Sequence, residues 1–511
     1  LVRGENMVKV PLAGDLGGSI SLKPDSRGNQ SSESDCDPPQ PPLVRGENMV
    51  KVPLSKRDEK SFIFENIQFN RPVVVPEGET LKIRLAALVK ESGKVEVVLR
   101  SEQTAFSVDH FRATVILSTV NSQKSTVVNQ NIKSENHNSL DPKKDLYGEL
   151  LFHQGRFQRI QGYRHLKATE CLAEIKTDTA TPWFSRYLPQ DLILGDAGAR
   201  DAAIHALQAC VPHATILPIG VESMIIHSVN STGNQFVSAQ ERQHIGDRFI
   251  YDLTIFDETG RVLEQWKSLE LQVIQHRDTQ EPWNAVLLST YLERRIQEVI
   301  PDADLTIVVD RDATVERRVR SDRALLRISY GMLRKQNFLR HDPQTKFPTE
   351  CSANRTQNLY RRPDGKPELG NGQAVSVSHT GDLTLVVAGS EGCDVEPVVA
   401  RNEQVWGDLL GFRRLDLAKV VAQETGQGLD VTATRIWCAS ECLKKAGMVA
   451  DAPLLLMNNS SLSPNEIVWL ESGEKAIATF VLSLQEVEQP LVFAVLLEKV
   501  KESDRILASI Y

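Results

Sequence analysis

Two matched stretches of alternating side chains limit what this chain can fold into. LKIRL places Leu81, Ile83 and Leu85 on one face, and after a KESGK turn the chain returns as VEVVL with Val95, Val97 and Leu99. Further on, FIYDLTI alternates Phe249, Tyr251, Leu253 and Ile255, turns at ETGR and returns as VLEQW. A period of two with glycine at the turn predicts an antiparallel hairpin with one buried face. The turns correspond residue by residue, Glu91-Ser-Gly93-Lys94-Val95 against Glu258-Thr-Gly260-Arg261-Val262, which hints at an internal duplication of a curved antiparallel sheet. Between the hairpins, ARDAAIHALQAC follows the loop LILGD and reads as a helix. It sets Asp201 and His205 at i and i+4, on one face.

The flanks divide the chain further. LVRGENMVKVPL occurs at 1–12 and again, unchanged, at 43–54, around a Gly/Ser/Asp/Pro-rich stretch. A short direct repeat around low-complexity sequence suggests a linker, a cloning scar or a gene rearrangement, and the paucity of large apolar residues predicts disorder over 1–60. PWNAVLLSTYLERRIQE, 283–299, reads as an amphipathic helix closing a domain of 61–300. A third region, 303–500, opens with the strand LTIVV and the helix SDRALLRISYGML, for which Ser321 is the expected N-cap. RRPDGKPEL is a turn-rich loop, AVSVSHT and DLTLVVAG are strands, and RIWCASECLKKAG is a helix. EIVWLE, AIATFVLSL and LVFAVLLE close an α+β region.

That last region carries the chemistry most open to reading. In GCDVEP, Asp394 and Glu396 lie two apart, so an extended segment points both carboxylates to one face. Anions side by side call for a cation between them, and Mg²⁺ takes a few carboxylates plus substrate phosphates. Glu441 on the later helix would be a third carboxylate. Lys445, one turn on, and His379 are phosphate-binding candidates. Taken alone, each motif also fits a solvated strand end or a surface Glu441–Lys445 ion pair.

Composition excludes several classes. A net charge of −8 gives no electrostatic support for nucleic-acid binding. Seven cysteines, an odd number without a CxxC pair, fit a reduced cytosolic compartment. No apolar run approaches the roughly 18 residues of a membrane span and no signal-peptide pattern opens the chain, so a cytoplasmic protein is expected.

Gly392-Cys-Asp394-Val-Glu396, followed by Trp437-x3-Glu441-x3-Lys445, resembles the signature of 4′-phosphopantetheinyl transferases. SVSH (376–379) and GKP (365–367) match that family in order and spacing. The resemblance implies a pseudo-dimeric α+β transferase domain over 303–500. In it Asp394, Glu396 and Glu441 would hold Mg²⁺ on coenzyme A, and His379 and Lys445 would contact phosphates. Gly365, Lys366 and Pro367 would line the adenosine end, Arg323 would be a candidate for the 3′-phosphate, and Glu441 would be the general base. The acceptor implied is a serine of an acyl carrier protein. The family usually has Lys directly before the helical Glu, where this chain has Ser440.

LILGDAGARDAAIHALQACVPHATILPIGV, with LFHQGRFQRIQGYRHLKATECLAEI before it, resembles the second half of a polyketide synthase dehydratase, a double-hotdog fold. The two resemblances in this order look like the end of an enediyne polyketide synthase, which implies upstream synthase domains as partners and leaves a homodimer open. The dehydratase family pairs a His from the first hotdog with an Asp from the second. Asp201 matches the Asp, whereas no HxxxGxxxxP segment is present and His110, in VDHFRAT, does not match it. The first hotdog is therefore expected to be truncated, and dehydration by this chain alone is not expected. Three readings follow: a transferase carrying a crippled or split dehydratase, a dehydratase fragment whose His comes from another chain, or a non-catalytic hotdog scaffold.

Overall fold

The computed structural model describes residues 19–22, 62–90, 93–117, 140–148, 150–178, 183, 192–229, 233–301, 303–339, 359–362, 366–369, 372–457 and 467–499. Most of the repeated N-terminal segment, and Gly365 with it, lies outside them. Within 1–60, Ser19–Leu22 (β1) forms a strand.

β1 joins Phe62–Phe69 (β2), Leu81–Val89 (β3), Lys94–Ser101 (β4), Phe111–Leu117 (β5), Ile160–Leu166 (β6), Glu170–Ile175 (β7), Ala214–Ile226 (β8), Gln235–Ile245 (β9), Arg248–Asp257 (β10) and Val262–His276 (β11). These form one antiparallel sheet of eleven strands, in the order β1-β3-β4-β5-β2-β8-β11-β10-β9-β7-β6. Both sequence-predicted hairpins are present, β3 with β4 and β10 with β11. Gly93 and Gly260 adopt positive φ at their turns, a conformation costly to a residue with a Cβ.

The two halves of this sheet are covered differently. Phe249, Tyr251, Leu253 and Ile255 of β10 are all fully buried. Seven of the nine residues of the helix Ala197–His205 (α1) are buried too, and Ala199, Ala202 and Ala203 belong to the same core cluster. In β3 only Leu81 and Ile83 are buried, while Leu88 and Val89 are 56% and 74% exposed. Among the described residues no α-helix precedes Ala197.

The helix Ala285–Gln297 (α2) fastens this sheet to the rest of the chain. Glu293 is buried and accepts from the N–H of Ala168 (3.0 Å) and of Ile307 (2.7 Å), one on each carboxylate oxygen. Trp283 stacks on Tyr291 and exchanges backbone hydrogen bonds with Ser483 and Gln485. A single apolar core therefore runs across residue 300.

Beyond it, Thr306–Arg311 (β12) starts the C-terminal region and the helix Arg317–Leu339 (α3) follows. This helix begins a turn earlier than expected. Ser321 lies inside it and donates back to the Arg317 carbonyl, so it is not the N-cap. Leu359–Arg361 (β13) pairs with Pro367–Leu369 (β14), and Val375–Thr380 (β15) with Leu383–Ala388 (β16). β16 also pairs with β12, making a three-stranded sheet. Cys393–Pro397 (β17) is followed by Glu403–Leu410 (α4), Phe412–Thr425 (α5) and Leu429–Lys445 (α6). Leu455–Leu456 (β18), Ile467–Ser472 (β19), Lys475–Leu482 (β20) and Leu491–Glu498 (β21) complete a second sheet, ordered β17-β21-β20-β19-β18.

Candidate functional site

Local sequence fixes the start of α1. The Asp196 carboxylate caps it, accepting from the N–H groups of Gly198 and Ala199. A Cβ at Gly198 would stand 3.1 Å from both the Arg156 carbonyl and the Trp183 ring, so glycine lets the helix sit against that loop. Arg200 leaves the helix in a buried, two-pronged ion pair with Glu264 of β11. With α1 held at both its cap and its flank, the face carrying Asp201 and His205 is directed into the core, where the two are 8% and 6% exposed.

There Asp201 meets two imidazoles. Its Oδ2 lies 3.3 Å from His205 Nδ1 and 3.4 Å from His153 Nε2. The two imidazole rings lie 3.9 Å apart between centroids, tilted by 33°, and Phe152 stacks on His153 at 4.4 Å. On the far side of His205, Nε2 is 3.1 Å from the Tyr147 hydroxyl, which also accepts from the Ile160 N–H. Burial pushes the Tyr147 phenol up to about 12, so it stays protonated at neutral pH. A small pocket opens beside the cluster, bounded by Phe152, His153, His205, Gln208, Leu151 and Pro218.

The sequence reading anticipated Asp201 and His205 but not His153 or Tyr147. The sequence reading sought the partner of Asp201 in an HxxxGxxxxP segment of the first hotdog; the imidazole that reaches Asp201 is that of His153, from the loop that precedes β6. The one available signal was a titratable residue beside a turn glycine, in FHQG. His110 plays no part, being buried against Ser101 Oγ (2.8 Å) and the Pro72 carbonyl.

In the C-terminal region the motif residues gather between β17 and α6. Gly392 explains why: a Cβ there would collide with the Cys442 carbonyl of α6. Glycine therefore lets the strand press against the helix and sets Asp394 beside Lys445. Lys445 Nζ donates to Asp394 Oδ1 and to the Cys393 carbonyl, both at 2.8 Å. Ser378 Oγ also donates to Asp394 Oδ1. Burial alone would lower the Lys445 ammonium, but the adjacent Asp394 carboxylate outweighs it and holds the ammonium above its ordinary value. Burial, with Asp394 next, pushes the half-buried Glu396 carboxyl up; Lys445 opposes this and Glu441 adds to it.

Several expected roles are revised. Glu441 pairs with Lys444 (3.0 Å), not with Lys445. Arg323 is committed to Asp310 through two hydrogen bonds and to Asp312 through a third, which leaves it poorly disposed toward a 3′-phosphate. His379 is held between Ser321 Oγ and Thr384 Oγ1. Burial, with Arg317, Arg320 and Lys445 adding, pushes His379 down to about 4, so it is a neutral donor or acceptor and not a cation. Lys366 donates to the Lys445 carbonyl, bringing the β13–β14 hairpin to the end of α6; Pro367 lies on that hairpin, and Gly365 lies outside the described residues. Among the described residues, the set of three or more His, Cys, Asp or Glu ligand atoms drawn close together is His153, Asp201 and His205, not the three carboxylates. No helix among them is long and apolar enough to cross a membrane.

Residues 125–281 match the family model of the polyketide synthase dehydratase N-terminal domain, a span that contains Tyr147, His153, Asp201 and His205. The antiparallel sheet with its buried helix is a hotdog-like dehydratase fold. Among solved structures, the dehydratase domain from the CurJ module of the curacin polyketide synthase is 14% identical, covering 42% of this chain and 76% of that one at a TM-score of 0.35. The dehydratase domain from the CurF module of the same synthase is 17% identical, covering 42% and 77% at 0.35. A trans-acyltransferase polyketide synthase enoyl-isomerase is 16% identical, covering 42% and 81% at 0.31. No curated protein matches the chain.

Proposed function

We propose that the hotdog-like region dehydrates a β-hydroxyacyl thioester borne by an acyl carrier domain of a polyketide synthase, with His153 and Asp201 as the proton-transfer pair. The observation that carries this reading is a buried carboxylate 3.4 Å from an imidazole that lines a small pocket, inside the segment that matches the dehydratase model. Elimination needs a base for the α-proton and an acid for the leaving hydroxyl. His153 takes the α-proton, the Cα–H electrons form the double bond, and the Cβ–O bond breaks. Asp201, in its protonated form, gives its proton to the departing oxygen, and water leaves. Proton return from His153 to Asp201 closes the cycle. His205, held by Tyr147, fixes the carboxylate from its other side. The test is to incubate the whole chain with a β-hydroxyacyl pantetheine thioester and follow the enoyl product by absorbance and an 18-dalton mass loss. Equal turnover by wild type and Asp201→Asn, or none by either, would overturn the assignment.

A second reading is supported at the other end of the chain: transfer of 4′-phosphopantetheine from coenzyme A to a carrier serine. What favours it is Asp394, whose Oδ2 is buried without an N–H or O–H donor, with the Cys438 thiol beside the carboxylate. An all-oxygen donor set of Asp394, Glu396 and Glu441 suits Mg²⁺, which when bound would neutralise charge on the coenzyme A pyrophosphate. The chain's own part is to bring Lys445 to the phosphates, to offer neutral His379 as a hydrogen-bond partner, and to take the serine proton at Glu441. The order of the two regions is the one that an enediyne-type synthase would have. Incubation with coenzyme A, Mg²⁺ and an apo carrier protein tests it: a carrier that gains no phosphopantetheine mass would remove this reading.

A further inference from the structure

His153, Asp201 and His205 each offer one ligand atom, all within 4.8 Å of one another and all buried. The two imidazole nitrogens stand 3.4 and 3.3 Å from the same carboxylate oxygen. Zinc–nitrogen and zinc–oxygen bonds of about 2.0–2.2 Å at a tetrahedral angle separate neighbouring ligands by about 3.4 Å. Both imidazole nitrogens therefore already stand from the carboxylate oxygen at the spacing one tetrahedral ion requires, and the third separation is at most 4.8 Å. We propose that this cluster is a Zn²⁺ site, with His153 Nε2, Asp201 Oδ2 and His205 Nδ1 as ligands and a water on the pocket side as the fourth.

The surroundings agree with that assignment. A ligating histidine commonly has its other ring nitrogen held by a fixed partner, and Tyr147 holds His205 Nε2 from 3.1 Å while itself anchored by the Ile160 N–H. Zinc ligation through Nδ1 would use the tautomer that places Nε2–H on the phenol oxygen. Phe152 fixes the plane of His153 by stacking. Two imidazoles and one carboxylate suit zinc and its transition-metal neighbours; Mg²⁺, which prefers oxygen, would be a poor occupant. Resting on the dehydratase reading above, the site has a consequence. A bound ion takes the lone pairs that proton transfer needs, so zinc inhibits dehydration and a chelator restores it.

The experiment uses the whole chain, stripped with EDTA, desalted and titrated with Zn²⁺ against a chromophoric chelator. Wild type is expected to bind one tight equivalent that Asp201→Asn and His205→Gln each lose, with Tyr147→Phe about tenfold weaker. Co²⁺ on the wild-type chain, which needs no variant, should give the intense visible bands of a four-coordinate ion. Circular dichroism shows whether each variant is folded. Wild type binding zinc no more tightly than folded Asp201→Asn, or a Co²⁺ spectrum of the six-coordinate aqueous ion, would overturn the site. Dehydration is assayed separately in EDTA. Turnover there without a tight zinc site sinks the metal alone, a tight site without turnover in any condition sinks the dehydratase reading alone, and undiminished turnover with zinc bound sinks the inhibition.

Discussion

Asp201 and Asp394 are both buried aspartates facing nitrogen, and they differ in what the nitrogen can do. Asp201 faces two imidazoles, whose ring nitrogens can donate or accept a proton. Asp394 faces an ammonium held above its ordinary value, which keeps its proton and supplies fixed positive charge. The first arrangement suits moving a proton; the second suits holding an anion. The surroundings follow the same division, with stacked aromatic rings around Asp201 and hydroxyl, lysine and carboxylate oxygens around Asp394. One residue type thus serves two chemistries because the partner on the facing element differs.

The largest expected effects come from crossing the two sites. Asp201→Asn should slow dehydration by about 10²–10⁴-fold, the usual contribution of a positioned acid or base, while leaving phosphopantetheine transfer intact. Asp394→Asn should do the reverse. Mass spectrometry of the thioester and of the carrier reads both in parallel, and loss of both activities in either variant would break the comparison.

Next is Gly392→Ala. The added Cβ meets the Cys442 backbone, which cannot rotate away as a side-chain tip could. A cost of about 1–3 kcal/mol in denaturant unfolding is expected, as for other overpacked sites. Transfer should fall with it, because the strand that carries Asp394 is pushed off α6. A stability equal to wild type would mean that β17 and α6 are less tightly opposed than they are here.

Glu293 belongs to neither site and tests whether the two regions fold as one. Burial pushes its carboxyl up to about 7 from an ordinary value near 4.5. Between those values the unfolded chain has lost a proton that the folded chain keeps. Stability contributed here is therefore greatest at low pH, declines as pH rises from about 4.5 to about 7, and is level above. Glu293→Gln should flatten that slope. It should also cost about 1–3 kcal/mol, since an amide cannot accept from both the Ala168 and the Ile307 N–H. Thermal unfolding across pH 4.5–8 checks both; separate transitions for the two regions in the variant would show that this clamp couples them.

Much of this was legible in the sequence because it is local. Alternation and turn glycines gave β3–β4 and β10–β11, and i,i+4 spacing gave the shared face of Asp201 and His205. Two-residue spacing gave one face to Asp394 and Glu396. What stayed hidden depends on contacts between distant segments. His153 sits in a loop where no periodicity assigns a direction, and only the packing of that loop on α1 brings it to Asp201. Arg323 looked available for phosphate because Asp310 and Asp312, its partners, lie on and just after a different element. Ser321 read as a helix start because the basic run before it, Arg317 to Arg320, carries no apolar period, yet that run is helical.

The smallest expected effect concerns His379, and it sharpens the contrast between fixed and titrating charge. If this imidazole is neutral above about pH 5, kcat/KM for coenzyme A, which reports the free enzyme, should show no inflection from it between pH 5.5 and 8. His379→Gln should keep the shape of that profile. Stability gives an independent reading of the same residue. Its folded value of about 4 lies below the ordinary 6.5, so the unfolded chain binds a proton first as pH falls. Stability should decline as pH drops from about 6.5 towards 4, and His379→Gln should remove that part of the decline. An inflection near pH 6.5 in wild-type kcat/KM that vanishes in the variant would instead make His379 a charged phosphate ligand.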